Sequence, residues 1–263
     1  MKVATLDEYA RKYEYISFHR EDGILQVTMH TGGGDLIWGF APHQEMGYMF
    51  GDIASDPENR VIILTGAGTT FIDKEDLSGG RPDANVWGEH VLPDAKRLLM
   101  NLLEIQAPMI AAINGPATIH AELGLLCDIT LAADHANFRD APHYPSGLVP
   151  GDGVHVVWQA LLGLNRARYF LMTGQSLSAQ EALALGVVNE VMPQAELLPR
   201  AWELARAIAK RPRLTTRLTR EAMLMQVKRE MLAQLPYGLA LEGLAAADWW
   251  PEGHFAGENI ARR

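Results

Sequence analysis

The residues best suited to chemistry are a histidine and an aspartate nine positions apart. His143 stands in Asp140-Ala141-Pro142-His143-Tyr144-Pro145 and Asp152 in Pro150-Gly151-Asp152-Gly153. Imidazole has an ordinary pKa that suits a base near neutral pH. A carboxylate on its other nitrogen fixes the tautomer and stabilises the imidazolium. The pattern therefore suits His143 as a base that activates water, oriented by Asp152; a surface-loop histidine beside a turn aspartate would read the same way. His120 sits where a helix is predicted to begin, near Ala121. A helix dipole disfavours protonation there, so a neutral imidazole would be able to donate one hydrogen bond to an anionic oxygen. A capping or buried structural histidine is the alternative. Trp38 offers a donor-only indole N–H and a flat apolar wall, or is an ordinary core tryptophan. Glu242 suits an acid if an apolar pocket keeps its proton, although most helix glutamates are solvated. His43, on a predicted helix, is a weaker candidate, and Glu122 has no task in this set.

These groups need elements to hold them. Tyr15–Phe18 and Ile24–Met29 are β-formers flanking Glu21-Asp22-Gly23 and predict a hairpin. Ala41 to Ile53 has helical spacing and ends before Ser55-Asp56-Pro57. Val61–Leu64 and Met109–Ile113 are short apolar runs closed by glycine turns, and Ile129–Ala132 resumes as strand. Between them Pro93 to Ile105 predicts an amphipathic helix with proline in its first turn. This alternation argues a mixed α/β fold with crossover units. No Gly-x-Gly-x-x-Gly, P-loop or zinc spacing is present.

From about Ser178 the chain turns helical: Ala179–Ala184, Leu197–Ala209 and Thr215–Ala247 are rich in Ala, Leu, Glu and Arg. Pro236 is expected to interrupt the last of these, and Trp249 to Gly253 to be non-helical. Arg211, Arg213, Arg217 and Arg220 read as a solvated or interfacial face, and Met223, Met225 and Met231 as helix packing or subunit contacts.

The chain has 263 residues and a net charge of −9, with 48% hydrophobic residues, enough for one large packed domain. The acidic balance repels nucleic acid and anionic membrane, so neither is an expected partner. The single cysteine, Cys127, excludes an intrachain disulfide. The amino terminus lacks an apolar signal segment, and the most apolar stretch, Leu98 to Ile113, is too short to span a bilayer. A cytoplasmic location is the expectation.

Several stretches in consistent order carry a resemblance. They are Val61–Gly68 with Phe71 and Asp76; Pro108–Pro116 with Glu122 and Cys127–Ala133; and Phe138, Gly147–Gly151, Gly163, Leu171–Gly174 and Gly186–Val191. Together they resemble the crotonase (enoyl-CoA hydratase/isomerase) superfamily. The resemblance implies a crotonase-like spiral of ββα units over 1–200. It also implies a C-terminal helical trimerisation region over 201–263, in a homotrimer or a dimer of trimers. It further implies an oxyanion hole from two backbone N–H groups, here those of Glu75 and Ile119.

The sequence departs from the hydratase pattern at the second catalytic position, where His143 stands instead of a glutamate, and in Ala117–Ala121, which replaces a glycine-rich run. These departures resemble the β-diketone hydrolase branch, in Trp38, His43, His120, the His143/Asp152 pair and Glu242. That branch implies a retro-Claisen hydrolysis of a nonpolar, cyclic or bicyclic, 6-oxocamphor-like 1,3-diketone. Neither coenzyme A nor any other cofactor or metal is implied. Trp38 and His43 would then contact substrate.

Overall fold

The computed structural model describes residues 4–78, 80 and 82–250. A single turn, α1 (Leu6–Tyr9), leads into the hairpin of β1 (Ile16–Glu21) and β2 (Ile24–Met29). The two turn residues, Asp22 and Gly23, both have positive φ, 51° and 80°. That mirror-image turn matches the natural twist of the strands it joins. Next come β3 (Ile37–Trp38), α2 (Phe40–Ser55), β4 (Val61–Gly66) and β5 (Lys74–Glu75). Then α3 (Ala84–Val86) and a π turn at Trp87–Val91 open α4 (Leu92–Glu104), followed by β6 (Met109–Ile113). After α5 (Glu122–Leu125), β7 (Ile129–Ala133) and β8 (Asn137–Phe138) comes α6 (Val154–Thr173), broken at Gly163. The chain closes with β9 (Leu177–Ser178), α7 (Ala179–Ala184), β10 (Glu190–Met192), α8 (Gln194–Ala209) and α9 (Arg213–Asp248).

The main sheet has the order β1-β2-β4-β6-β7-β10, parallel except for the β1–β2 pair. A parallel sheet buries both faces, which is why its strands are unbroken apolar runs. In β4, Ile62 and Leu64 enter the large core beneath α2 and α4, while Val61 and Ile63 face the other side. There α8 supplies Leu197, Ala201, Trp202 and Ala205. A minor layer, of β3 with β5 and β8 with β9, is joined through bridges at Ile72, Ala117 and Phe138. The fold is a mixed α/β arrangement with a helical carboxy-terminal part.

Two expectations are corrected. Pro236 does not interrupt the last helix: α9 runs through it as one helix of 36 residues. A proline inside a helix costs about 3 kcal/mol. Here Met231, Leu235 and Leu239 on either side are buried, and such burial stabilises by roughly 1.5–3 kcal/mol per side chain. Arg220 is not on a solvated face. It is 2% exposed, donates from Nε to the Ile105 carbonyl at 2.7 Å and pairs with Asp128 at 2.5 Å. Of the methionines, Met231 is buried whereas Met223 and Met225 are exposed. Trp249 and Trp250 are non-helical as expected; Pro251 to Gly253 lie outside the described residues. Among the described residues no helix is long and apolar enough to cross a membrane.

Candidate active site

A cavity lies where β3, β5, the Ala117–Ala121 segment, the Asp140–Asp152 loop and α9 converge. Trp38, His43, Glu75, His120, His143, Asp152 and Glu242 all line it. Apolar walls come from Phe40, Leu77, Trp87, Leu148, Leu239 and Trp250. α9 reaches the loop because two glycines meet: a Cβ on Gly238 would lie 2.3 Å from the Gly151 carbonyl oxygen. That close approach sets Glu242, one turn along α9, beside Asp152.

The charged groups form a connected chain. His143 Nδ1 is 2.6 Å from Asp140 Oδ1, and its Nε2 is 3.4 Å from Asp152 Oδ2 and 3.7 Å from Glu242 Oε1. Asp152 Oδ2 is also 3.5 Å from His120 Nδ1, which lies 2.5 Å from Glu122 Oε1. His120 lies tilted against Trp38 with ring centroids 4.4 Å apart, and His43 completes the aromatic group at 5.5 Å from Trp38. Beyond this cavity, no group of three or more His, Cys, Asp and Glu side chains with comparably close polar atoms occurs among the described residues.

The geometry alters the orienting role expected of Asp152. The carboxylate at the far nitrogen of His143 is Asp140; Asp152 faces the nitrogen that would meet water. Asp140 was visible three residues before His143, but its spacing could not show that the loop folds back onto Nδ1. Both residues are buried, so the pair is shielded from water. Burial opposes charge on His143, but Asp140 and Asp152 outweigh it and hold the imidazole well above 6.5. Asp152 is held below the ordinary carboxylate range: burial opposes this, and His143 and His120 override it.

His120 corrects the expectation of a neutral ring. Burial disfavours its charge, but Glu122 and Asp152 raise its pKa to about 9, so it is an imidazolium at neutral pH. The dipole argument fails because α5 has only four residues, while a carboxylate sits in direct contact. Glu122 thereby gains a task the sequence did not reveal. His120 also adopts a left-handed backbone, φ 45°, in the segment replacing the glycine-rich run. That conformation costs a non-glycine residue roughly 1–2 kcal/mol.

The carboxyls of Glu242 and Glu75 behave differently. Burial raises both to about 7, leaving each near half-protonated at neutral pH. Burial likewise lowers His43 to about 3, and the nearby His120 charge adds to this, so His43 is neutral. Ile119 is not brought into the site: it is 1% exposed, does not line the cavity, and its N–H is donated to the Ile72 carbonyl at 3.2 Å. Its amide therefore has a partner already and is no free oxyanion donor. Glu75 does line the cavity.

A family model described as enoyl-CoA hydratase/isomerase matches residues 21–241. Short-chain-enoyl-CoA hydratase of Clostridium acetobutylicum is 31% identical over 204 residues, covering 77% of this chain and 76% of that protein. Carnitinyl-CoA dehydratase of Shigella flexneri is 33% identical over 201 residues, covering 74% of each. Among solved structures, a β-diketone hydrolase from Anabaena sp. PCC 7120, bound to (S)-3-oxocyclohexyl acetic acid, is 46% identical. It covers 92% of this chain and 97% of that one, with a TM-score of 0.88. An enoyl-CoA hydratase/isomerase from Mycobacterium paratuberculosis superposes with a TM-score of 0.82 at 26% identity, covering 89% and 94%.

Proposed function

The chain belongs to the enoyl-CoA hydratase/isomerase (crotonase) family, and we propose that within it the protein is a coenzyme A-independent retro-Claisen hydrolase of a nonpolar cyclic or bicyclic 1,3-diketone. The observation that carries this reading is the buried His143–Asp152–Glu242 cluster in a largely apolar cavity, with His120 charged beside Trp38. The 46% identity to a β-diketone hydrolase supports it.

Cleavage runs as a balanced addition of water. Before substrate enters, His143 is protonated, with Nε2 3.4 Å from Asp152 Oδ2 and 3.7 Å from Glu242 Oε1. Glu242, with a pKa of about 7, takes that proton as substrate enters. Neutral His143 then removes a proton from water while the water oxygen bonds to one carbonyl carbon. Asp140 accepts the Nδ1 hydrogen and keeps the imidazole in the tautomer that leaves Nε2 free. The tetrahedral intermediate collapses to a carboxylic acid; the carbon–carbon bond breaks and its electron pair forms an enolate. His120, as an imidazolium, donates to that enolate oxygen in a site sheltered from water. Glu242 returns its proton to the enolate carbon, so His143 is again charged and the net change is diketone plus water to keto acid.

Trp38 and neutral His43 form the wall on which the substrate ring rests. The exposed apolar side chains of α9, among them Leu214, Leu218, Leu232 and Leu244, suit a subunit interface in a homotrimer or dimer of trimers.

The test offers the protein a bicyclic 1,3-diketone whose opening gives 3-oxocyclohexyl acetic acid, and separately crotonyl-CoA. Loss of the diketone with formation of the keto acid, and no hydration of the thioester, is the expected result. Thioester turnover without diketone cleavage overturns the proposal in favour of a coenzyme A hydratase, the activity named for the Clostridium relative.

A further inference from the structure

We infer that the Glu75 carboxyl donates a hydrogen bond to a ketone oxygen of the substrate, beside the indole N–H of Trp38, and so determines which oxygen enters that end of the cavity. This rests on the proposed diketone reading and extends it to a residue that the cleavage steps leave unused.

Glu75 and Trp38 are register partners on the parallel strands β5 and β3, and the pairing is tied by Asp76 N–H donating to the Trp38 carbonyl at 2.8 Å. Strand partners on neighbouring strands stand about 5 Å apart, so two side chains entering one cavity from this pair reach the same small volume. Both line the cavity. Glu75 Oε2 is buried with no hydrogen-bond partner among the described residues. A buried polar oxygen left unpaired is costly, and a ligand that supplies its partner is selected over one that cannot.

The form of the group follows from its surroundings. His120, His143, Asp152 and Asp76 are the charged groups that act on it, and Glu242 faces the same cavity from α9. Burial dominates these influences and favours the neutral acid. A neutral carboxyl is a donor, and ketone oxygens accept; the complement is a diketone whose second oxygen lies on the Trp38–Glu75 side.

Kinetics with the bicyclic diketone for wild type, Glu75→Leu and Glu75→Gln test the assignment. Leucine removes the donor at similar volume and is expected to lower kcat/KM on the order of 30-fold, mainly through KM. Glutamine keeps an N–H donor but has no acidic proton, and is expected to restore kcat/KM to within about threefold of wild type. Wild-type kinetics in Glu75→Leu overturn the inference. Equal loss in Glu75→Gln and Glu75→Leu, with kcat lowered in both, also overturns it, because that is the signature of proton transfer. Circular dichroism of each variant separates misfolding from the effect read, and glutamine, nearly isosteric, keeps the test decisive if leucine misfolds. If wild type cleaves no diketone, the parent reading fails instead, and the two failures are distinct.

Discussion

The sheet face beneath α8 and the cavity at the loop ends are both buried, yet they are held together by opposite means. Under α8, Val61, Ile63, Ile110, Ala112, Leu131 and Ala133 meet Leu197, Ala201 and Ala205 in an apolar layer. Around the cavity, His120, Glu122, Asp140, His143, Asp152 and Glu242 are packed into contact. The first region gains from removing apolar area from water. In the second, the desolvation cost of the charged groups is offset by shared protons and opposite charges. One region supplies stability and asks little of geometry. The other consumes stability and depends on which nitrogen meets which oxygen.

That contrast can be broken at its strongest point first. His143→Ala should lower kcat for diketone cleavage by about 10³–10⁴ while circular dichroism still reports a folded protein. Near-normal turnover would remove His143 from the chemistry. On the other face, Ile63→Ala should cost about 2–5 kcal/mol in chemical denaturation and leave kcat unchanged at a temperature where the protein is folded. A rate loss there would mean that the two regions are not separable.

Asp140→Asn sharpens the division inside the cavity. An amide that donates to Nδ1 puts the remaining proton on Nε2, so kcat should fall about 10²-fold or more. Loss of the Asp140 charge should also move the acidic limb of the kcat/KM profile to lower pH, because that charge holds the His143 pKa up. An unmoved limb would exclude Asp140 as the orienting group.

The smallest effect concerns pH and stability. His143 and His120 have raised pKa values, so their pairing is fully stabilising below 6.5 and is lost as pH rises through the folded values, about 9 for His120. Glu242 is raised from 4.5 to about 7, so the folded state loses stability from it as pH climbs across that interval. Asp152 runs the other way, since its pKa is depressed: its contribution is present above 3.8 and disappears only as pH falls through its lower folded value. Tm should therefore decline from pH 7 to pH 9, a range in which His43, with its depressed pKa, no longer titrates in either state, and Glu242→Gln should raise Tm more at pH 7 than at pH 5. A Tm that rises over the range would contradict the charge assignments.

Much of the fold could be read from particular stretches. The glycine after Asp22 announced the hairpin, the apolar run of β4 announced a strand buried on both faces, and the proline in the first turn of α4 marked where that helix begins. Pro236 misled because a local penalty was set against tertiary burial that the sequence does not display. Of the site, His143, Asp152, His120, Glu242, Trp38, His43 and Glu75 all reach one cavity. Ile119 does not, because its N–H is already committed to Ile72.

By itself the sequence determined the main strands and helices, because periodicity and turn chemistry act over a few neighbouring residues, while the set of residues expected at a common site came from the family resemblance. Only the tertiary structure decided the charge states. Whether His120 carries a proton depends on Glu122 and Asp152, which lie 2.5 and 3.5 Å from one ring nitrogen. Electrostatic energies in a buried site change by kilocalories over such distances, and a linear order of residues does not contain them.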